Sequence, residues 1–151
     1  MLVFRRSLAA CLPRTCRFNH SYPPRLLNSV TEHDLAHFAK ILPASSILST
    51  YPPSLTPPEE LDQFNSDWMG KYKGHSTTVL KPKTTQQVSE IVKWCHQRRI
   101  GIVPQGGNTG LVGGSVPVKD EVILSLANMS TVRSFDPVSG TYLSRSLPPL
   151  F

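Results

Sequence analysis

Residues 104–118 read Pro104-Gln-Gly-Gly-Asn-Thr-Gly-Leu-Val-Gly-Gly-Ser-Val-Pro-Val118, and five of the chain's nine glycines fall inside this stretch. Glycine admits positive φ and lets backbone approach a ligand closely, so clustered glycines can turn successive N–H groups toward one anion. Asn108, Thr109 and Ser115 add side-chain donors of the kind a pyrophosphate accepts. Two familiar phosphate loops are excluded. A P-loop requires Gly-Lys-Ser/Thr, and no lysine lies between Gln105 and Val118. A dinucleotide fingerprint requires G-x-G-x-x-G opening a helix, whereas here the spacing is G-G-x-x-G-x-x-G-G and Ser115-Val116-Pro117-Val118 follows. An anion would be held by the loop itself; the competing reading is a glycine turn with a structural role only.

The flanks place this loop between regular elements. Thr77–Leu80 has the pattern of a strand. Thr84 to Arg99 has that of a helix, with Thr84 as N-cap and Gln87 as its capping-box partner. Val88, Ile91, Val92 and Cys95 recur at i, i+3, i+4 and i+7, which predicts one buried stripe. Arg98 and Arg99 complement the C-terminal dipole, and Gly101 is placed as the residue that closes the helix. Ile102-Val103-Pro104 and Val122–Leu126 are predicted strands, with Thr131–Phe135 a further one before the turn at Asp136-Pro137 and Ser139-Gly140. Strand, helix, strand, glycine loop, strand describes an α+β or nucleotide-type α/β unit.

The stretch from Pro104 to Val118, with Asp120-Glu121 and NMSTVRSFDPVSGT at 128–141, resembles the mitochondrial D-2-hydroxyglutarate dehydrogenase group. D-lactate dehydrogenases are its close relatives. Both are FAD-dependent oxidoreductases sharing the vanillyl-alcohol-oxidase-like, PCMH-type flavin domain. The resemblance runs from about Asp67 to Thr141, roughly half the chain. It implies an α+β fold, the first subdomain of a PCMH-type FAD-binding domain, here incomplete and preceded by a disordered N-terminal region. It also implies FAD as cofactor, held near Gln105, Gly106, Gly107, Asn108, Thr109, Gly110, Leu111, Gly113, Gly114 and Ser115. The implied substrate is a small D-2-hydroxy acid, and the implied electron acceptor a protein or quinone.

Beyond Gly140-Thr141 the sequence departs from the family. Tyr142-Leu-Ser-Arg-Ser-Leu-Pro-Pro-Leu-Phe151 does not have the pattern of the next family strand, and the substrate domain, which supplies metal-binding histidines in the family, has no counterpart. The remaining histidines do not replace it. His75 is placed in a loop and His96 on the outside of its helix. His33 and His37 share i, i+4 spacing, but His33-Asp-Leu-Ala-His37 lacks the glutamate of a zinc-protease motif, so a solvated helix face is expected. Trp68 and Trp94 are assigned to packing rather than to a stacking platform. No catalytic or metal residue is assigned. A sheet ending at its third or fourth strand exposes an edge, so these residues are expected to bind FAD weakly or not at all and to turn over no substrate.

The N-terminus carries a different message. The chain has 151 residues with 16 Lys+Arg against 10 Asp+Glu, a formal charge of +6. Five arginines and no acids lie in residues 1–30, which leaves 11 basic and 10 acidic residues, or +1, over 31–151. On a helical wheel Phe4, Leu8, Cys11 and Leu12 share a face opposite Arg6, and Pro13 ends the helix. That is the composition of a mitochondrial transit peptide addressing the matrix, while Leu8–Leu12 is too short for a secretory apolar core of about 7–15 residues. A body near neutrality, without a basic-aromatic stripe, excludes a nucleic-acid binder. No run of 18 apolar residues exists, so no transmembrane helix is expected. Cys11, Cys16 and Cys95 make no disulfide framework, and with His20 they match no zinc spacing.

Between address and domain, residues 31–42 predict a short helix capped by Thr31, with Leu35, Phe38, Ala39 and Leu42 on one face. Residues 43–58 hold five prolines and read as an extended linker, with one helical turn at Glu59–Phe64. The predicted organisation is therefore 1–30 transit peptide, 31–66 short helix and Pro-rich linker, 67–141 N-terminal part of the FAD-binding domain, and 142–151 divergent tail. Two functions follow: a truncated, inactive form of an FAD-dependent dehydrogenase, or a non-catalytic protein that keeps the glycine loop for an anion or a partner.

Overall fold

The computed structural model describes residues 27–52 and 55–144. The proposed transit peptide, with Cys11, Cys16 and His20, lies almost wholly outside the described residues.

Helix α1 (Glu32–Ile41) starts at Thr31, whose N–H and hydroxyl both donate to Asp34 Oδ2, at 3.0 and 2.6 Å. It ends where Pro43 follows Leu42, because the residue before a proline is pushed out of the α region. Leu35, Phe38 and Leu42 form its buried face, whereas Ala39 is exposed. The proline-rich stretch does not run as a free linker. After a 3-10 turn (Ala44–Ser46), Ile47–Ser49 form strand β1. Helix α2 (Pro58–Asn65) is twice the single turn expected, with Pro58 at its first turn where a missing N–H costs nothing. Strand β2 (Thr78–Leu80), helix α3 (Thr85–Arg98), strand β3 (Ile102–Gln105) and strand β4 (Val122–Ser125) follow as the sequence predicts.

The strands form a four-stranded sheet in the order β1-β2-β4-β3. Strands β2, β4 and β3 run parallel, and β1 adds to β2 antiparallel through Ile47–Leu80, Leu48–Val79 and Ser49–Thr78. Alternate residues point to opposite faces. On one face Ile47, Leu80, Val122 and Leu124 meet Leu35 and Phe38 of α1 and Ile91 and Cys95 of α3. On the other, Val79 and Ile123 pack on Leu61 of α2, with Leu48 and Phe64 beside them. Covering on both faces is why β4 reads as an uninterrupted apolar run. These three layers make an α+β unit, as predicted.

Several local expectations change. Thr84 and Gln87 do form the capping box of α3, but its buried stripe is narrower than predicted. Ile91 and Cys95 are fully buried while Val92 is 43% exposed. Trp94, one turn from Ile91, covers the core edge instead. The left-handed residue that closes α3 is Arg99 (φ 55°), not Gly101. Gly101 is required by packing, since a Cβ there would come within 2.5 Å of Glu121 Cγ. Strands β5 (Val132–Asp136) and β6 (Thr141–Ser144) make an antiparallel hairpin, so the first residues of the divergent tail, 142–144, lie in a strand.

The contact between α1 and α3 is organised around a buried acid. Asp34 is inaccessible to solvent and accepts from Arg98 Nε at 2.9 Å and Trp94 Nε1 at 3.0 Å as well as from Thr31. Burial alone raises its pKa, but the hydrogen bonds from Arg98, Thr31 and Trp94 outweigh it and hold the carboxyl at about 2. His37 stacks on Trp94 at 3.6 Å with the planes 8° apart, so this half of the His33/His37 pair is an aromatic contact rather than a free solvated face. Cys95 lies beneath; burial, with the nearby Asp34 charge, pushes its thiol up to about 12 and makes it unreactive.

Candidate functional site

The glycine loop leaves the C-terminal end of β3, the end of parallel strands at which open α/β sheets place ligands. Among the described residues, none of the backbone N–H groups from Gly106 to Ser115 donates to a protein acceptor. The loop's inner turn is closed at the far end, where Val116 N–H donates to Gly113 O at 3.1 Å. Gly106, Gly107, Thr109, Gly110, Leu111 and Gly114 are exposed. A Cβ at Gly110 or Gly114 would meet nothing within 4 Å, whereas one at Gly113 (φ +71°) would come within 2.8 Å of Tyr72. The loop is thus pressed onto the Asp67–Tyr72 turn on one side and open on the other.

The side chains expected to reach a ligand are not deployed alike. Thr109 is exposed. Gln105 is buried, and its amide donates to Phe64 O at 2.9 Å and Ser115 O at 3.1 Å. Asn108 donates to Ser66 O at 2.7 Å and Gln63 O at 3.4 Å, and accepts from Ser115 Oγ at 2.7 Å. Two of the three predicted side-chain donors, Asn108 and Ser115, therefore turn inward together with Gln105, and the third, Thr109, stays exposed beside the glycines. Of the acidic pair after the loop, Asp120 accepts from Thr77 Oγ1 at 2.8 Å, and Glu121 accepts from Lys119 N–H at 2.6 Å; both fix local structure.

Trp68 is 72% exposed and so is not the packing residue the sequence suggests. With Met69, Tyr72, Leu111 and Val112, also exposed, it gives the loop an apolar rim. Asp67 went unnoticed in the sequence. It is buried, Oδ1 accepts from Tyr72 N–H at 2.9 Å, and Oδ2 has no partner among the described residues. Its sequence signal was slight: an acid three residues before Gly70, which takes the positive φ of the turn. His75 and His96 are exposed, and among the described residues no group of three or more His, Cys, Asp or Glu could hold a metal. No helix among the described residues is long and apolar enough to cross a membrane.

A loop whose N–H groups have no acceptor among the described residues, with no lysine and with open space at Gly110 and Gly114, suits a diphosphate better than a metal or a cationic ligand. The fold and this loop define a flavin-domain fragment of the PCMH type. Residues 76–143 match the FAD binding domain family, whose cofactor is FAD. The fold is shared with p-cresol methylhydroxylase with substrate bound, at a TM-score of 0.56 and 22% identity over 74% of this chain and 22% of that one.

Sequence relatives narrow the assignment. The D-2-hydroxyglutarate--pyruvate transhydrogenase of Saccharomyces cerevisiae is 54% identical over 109 residues, 72% of this chain and 21% of its own length. The mitochondrial D-2-hydroxyglutarate dehydrogenase of Arabidopsis thaliana is 48% identical over 115 residues, 76% of this chain and 19% of its own. Over about three quarters of its length the chain is thus similar to members of the mitochondrial D-2-hydroxyglutarate and D-lactate dehydrogenase group, and it carries part of their FAD binding domain. It spans about a fifth of the length of these relatives.

Proposed function

We propose that the backbone N–H groups from Gly106 to Ser115 cradle the pyrophosphate of FAD, and that this region serves oxidation of D-2-hydroxyglutarate, or D-lactate, to the 2-oxo acid. The ligand-facing positions are Gly106, Gly107, Thr109, Gly110, Leu111, Gly113 and Gly114, with Gln105, Asn108 and Ser115 behind them. The observation that carries this reading is the run of loop N–H groups without an acceptor among the described residues, at the carboxyl end of β3. Bound FAD would supply the acceptor for the hydride leaving C2 of the hydroxy acid, and a protein or quinone acceptor would then take the electrons. The residues of this chain bind and orient; the exposed rim of Trp68, Tyr72 and Leu111 shields the loop from water once a ligand covers it.

The same reading makes residues 1–30 a transit peptide for the mitochondrial matrix and 67–141 the N-terminal part of the FAD-binding domain. The matched residues span about a fifth of these relatives, so this region is assigned the flavin-binding part of the reaction and no catalytic residue. Two measurements on the purified chain test this: flavin titration, and dye-linked oxidation of D-2-hydroxyglutarate and D-lactate. Weak, saturable FAD binding without turnover is expected. No interaction at millimolar FAD would leave a non-catalytic role for the loop; stoichiometric flavin with turnover would overturn the assignment of the flavin-binding part alone.

A further inference from the structure

We infer that Asn108 is a positioning residue: buckled by Ser115, its amide ties the glycine loop to the carboxyl end of α2 and thereby fixes the direction in which the loop N–H groups face. This rests on the reading of the loop as a pyrophosphate cradle.

The last carbonyls of a helix lack intrahelical donors and carry the negative end of its dipole. At the end of α2 those carbonyls are met by donors from the loop. Asn108 Nδ2 reaches Ser66 O at 2.7 Å and Gln63 O at 3.4 Å, and Gln105 Nε2 reaches Phe64 O at 2.9 Å. The remaining valence of the Asn108 side chain is used as well, since Oδ1 accepts from Ser115 Oγ at 2.7 Å. That bond orients the amide, because only the oxygen can face a hydroxyl proton while the nitrogen faces carbonyls. Gln105 Nε2 also holds Ser115 O at 3.1 Å, so both ends of the loop and its middle converge on one helix terminus.

The backbone agrees. Asn108 sits at φ 54°, a left-handed conformation that Asn tolerates better than most residues. With the side chain turned inward, the N–H groups are what the loop presents outward. A loop with five glycines would otherwise be costly to order on binding, and the Asn108 buckle removes that cost in advance.

The test uses the full chain and its variants N108A, S115A and N108A/S115A, with FAD and inorganic pyrophosphate as probes. Without ligand, backbone 15N order parameters of Gly106, Gly107 and Gly110 should fall below about 0.6 in N108A and remain near rigid values in the parent chain. FAD affinity should fall about tenfold in N108A and somewhat less in S115A, the worth of one buried hydrogen bond. The double variant should bind no more weakly than N108A, because Ser115 acts through Asn108. Additive losses would mean independent ligand contacts and would overturn the inference, as would loop order unchanged in N108A. If the parent chain binds neither probe, the cradle reading fails, and the ligand-free order parameters still decide whether Asn108 holds the loop.

Discussion

Replacing Asp34 with alanine costs about 3 kcal/mol of folding stability. The substitution strips one N-cap interaction from α1 and leaves Trp94 Nε1 and Arg98 Nε without the carboxylate that pairs them. The same residue sets the acid limit of the fold. Its carboxyl titrates at about 2 when folded, against an ordinary value of 3.8, so the folded state holds this group deprotonated more strongly than the unfolded chain does. The sign follows: its contribution is fully present above about pH 4 and is lost as pH falls from 4 through 2, amounting to about 2 kcal/mol. Urea denaturation of the parent chain and of D34N at pH 7, 4 and 2.5 checks this. The stability difference between them should shrink toward acid, and a difference that stays constant with pH would remove Asp34 from this role.

Gly110→Asp should abolish detectable FAD binding, a loss of 100-fold or more, while shifting stability by less than about 0.5 kcal/mol. The position is open, since a Cβ there meets nothing within 4 Å, and its φ is not left-handed, so folding tolerates a side chain. A carboxylate standing in that space opposes a pyrophosphate directly. Gly113→Ala should show the reverse order of effects: at φ +71° with Tyr72 2.8 Å from the new Cβ, it costs about 1–2 kcal/mol of stability before any ligand is added. Thermal unfolding and flavin titration on both variants separate the two. Undiminished FAD binding by the Gly110 variant would place the ligand elsewhere.

The contrast between these glycines shows what the sequence could and could not convey. Elements fixed by local chemistry were legible: the Thr84/Gln87 capping box announced α3, and the apolar run Val122–Leu126 announced strand β4, which the structure covers on both faces. Strand β1 was hidden because prolines dominate its neighbourhood, while only Ile47, Leu48 and Ser49 need to pair with β2. Val92 falls outside the buried stripe because helical spacing gives a face but not what the neighbouring helix covers. Asp34 was masked as an ordinary first-turn acid; its partner Arg98 lies 64 residues away, beyond any local pattern.

The candidate loop itself was recognisable from glycine spacing alone. The use of its polar side chains was not, because Asn108 satisfies a helix end that sequence spacing places more than forty residues upstream, and Ser115 bonds Asn108. Polar residues in a glycine loop suggest ligand donors by composition. Here those side chains bond within the protein, Asn108 to the end of α2 and Ser115 to Asn108.

The proposed function is that the N–H groups of Gly106–Ser115 hold a diphosphate. Its most direct measurement is a titration of the 15N-glycine-labelled chain with FAD, inorganic pyrophosphate and riboflavin, read at the amide resonances of Gly106, Gly107, Gly110, Gly113 and Gly114. FAD and pyrophosphate should both shift these resonances, and riboflavin, which has no phosphate, should leave them in place. Equal shifts with riboflavin, or shifts with FAD confined to residues outside the loop, would contradict it.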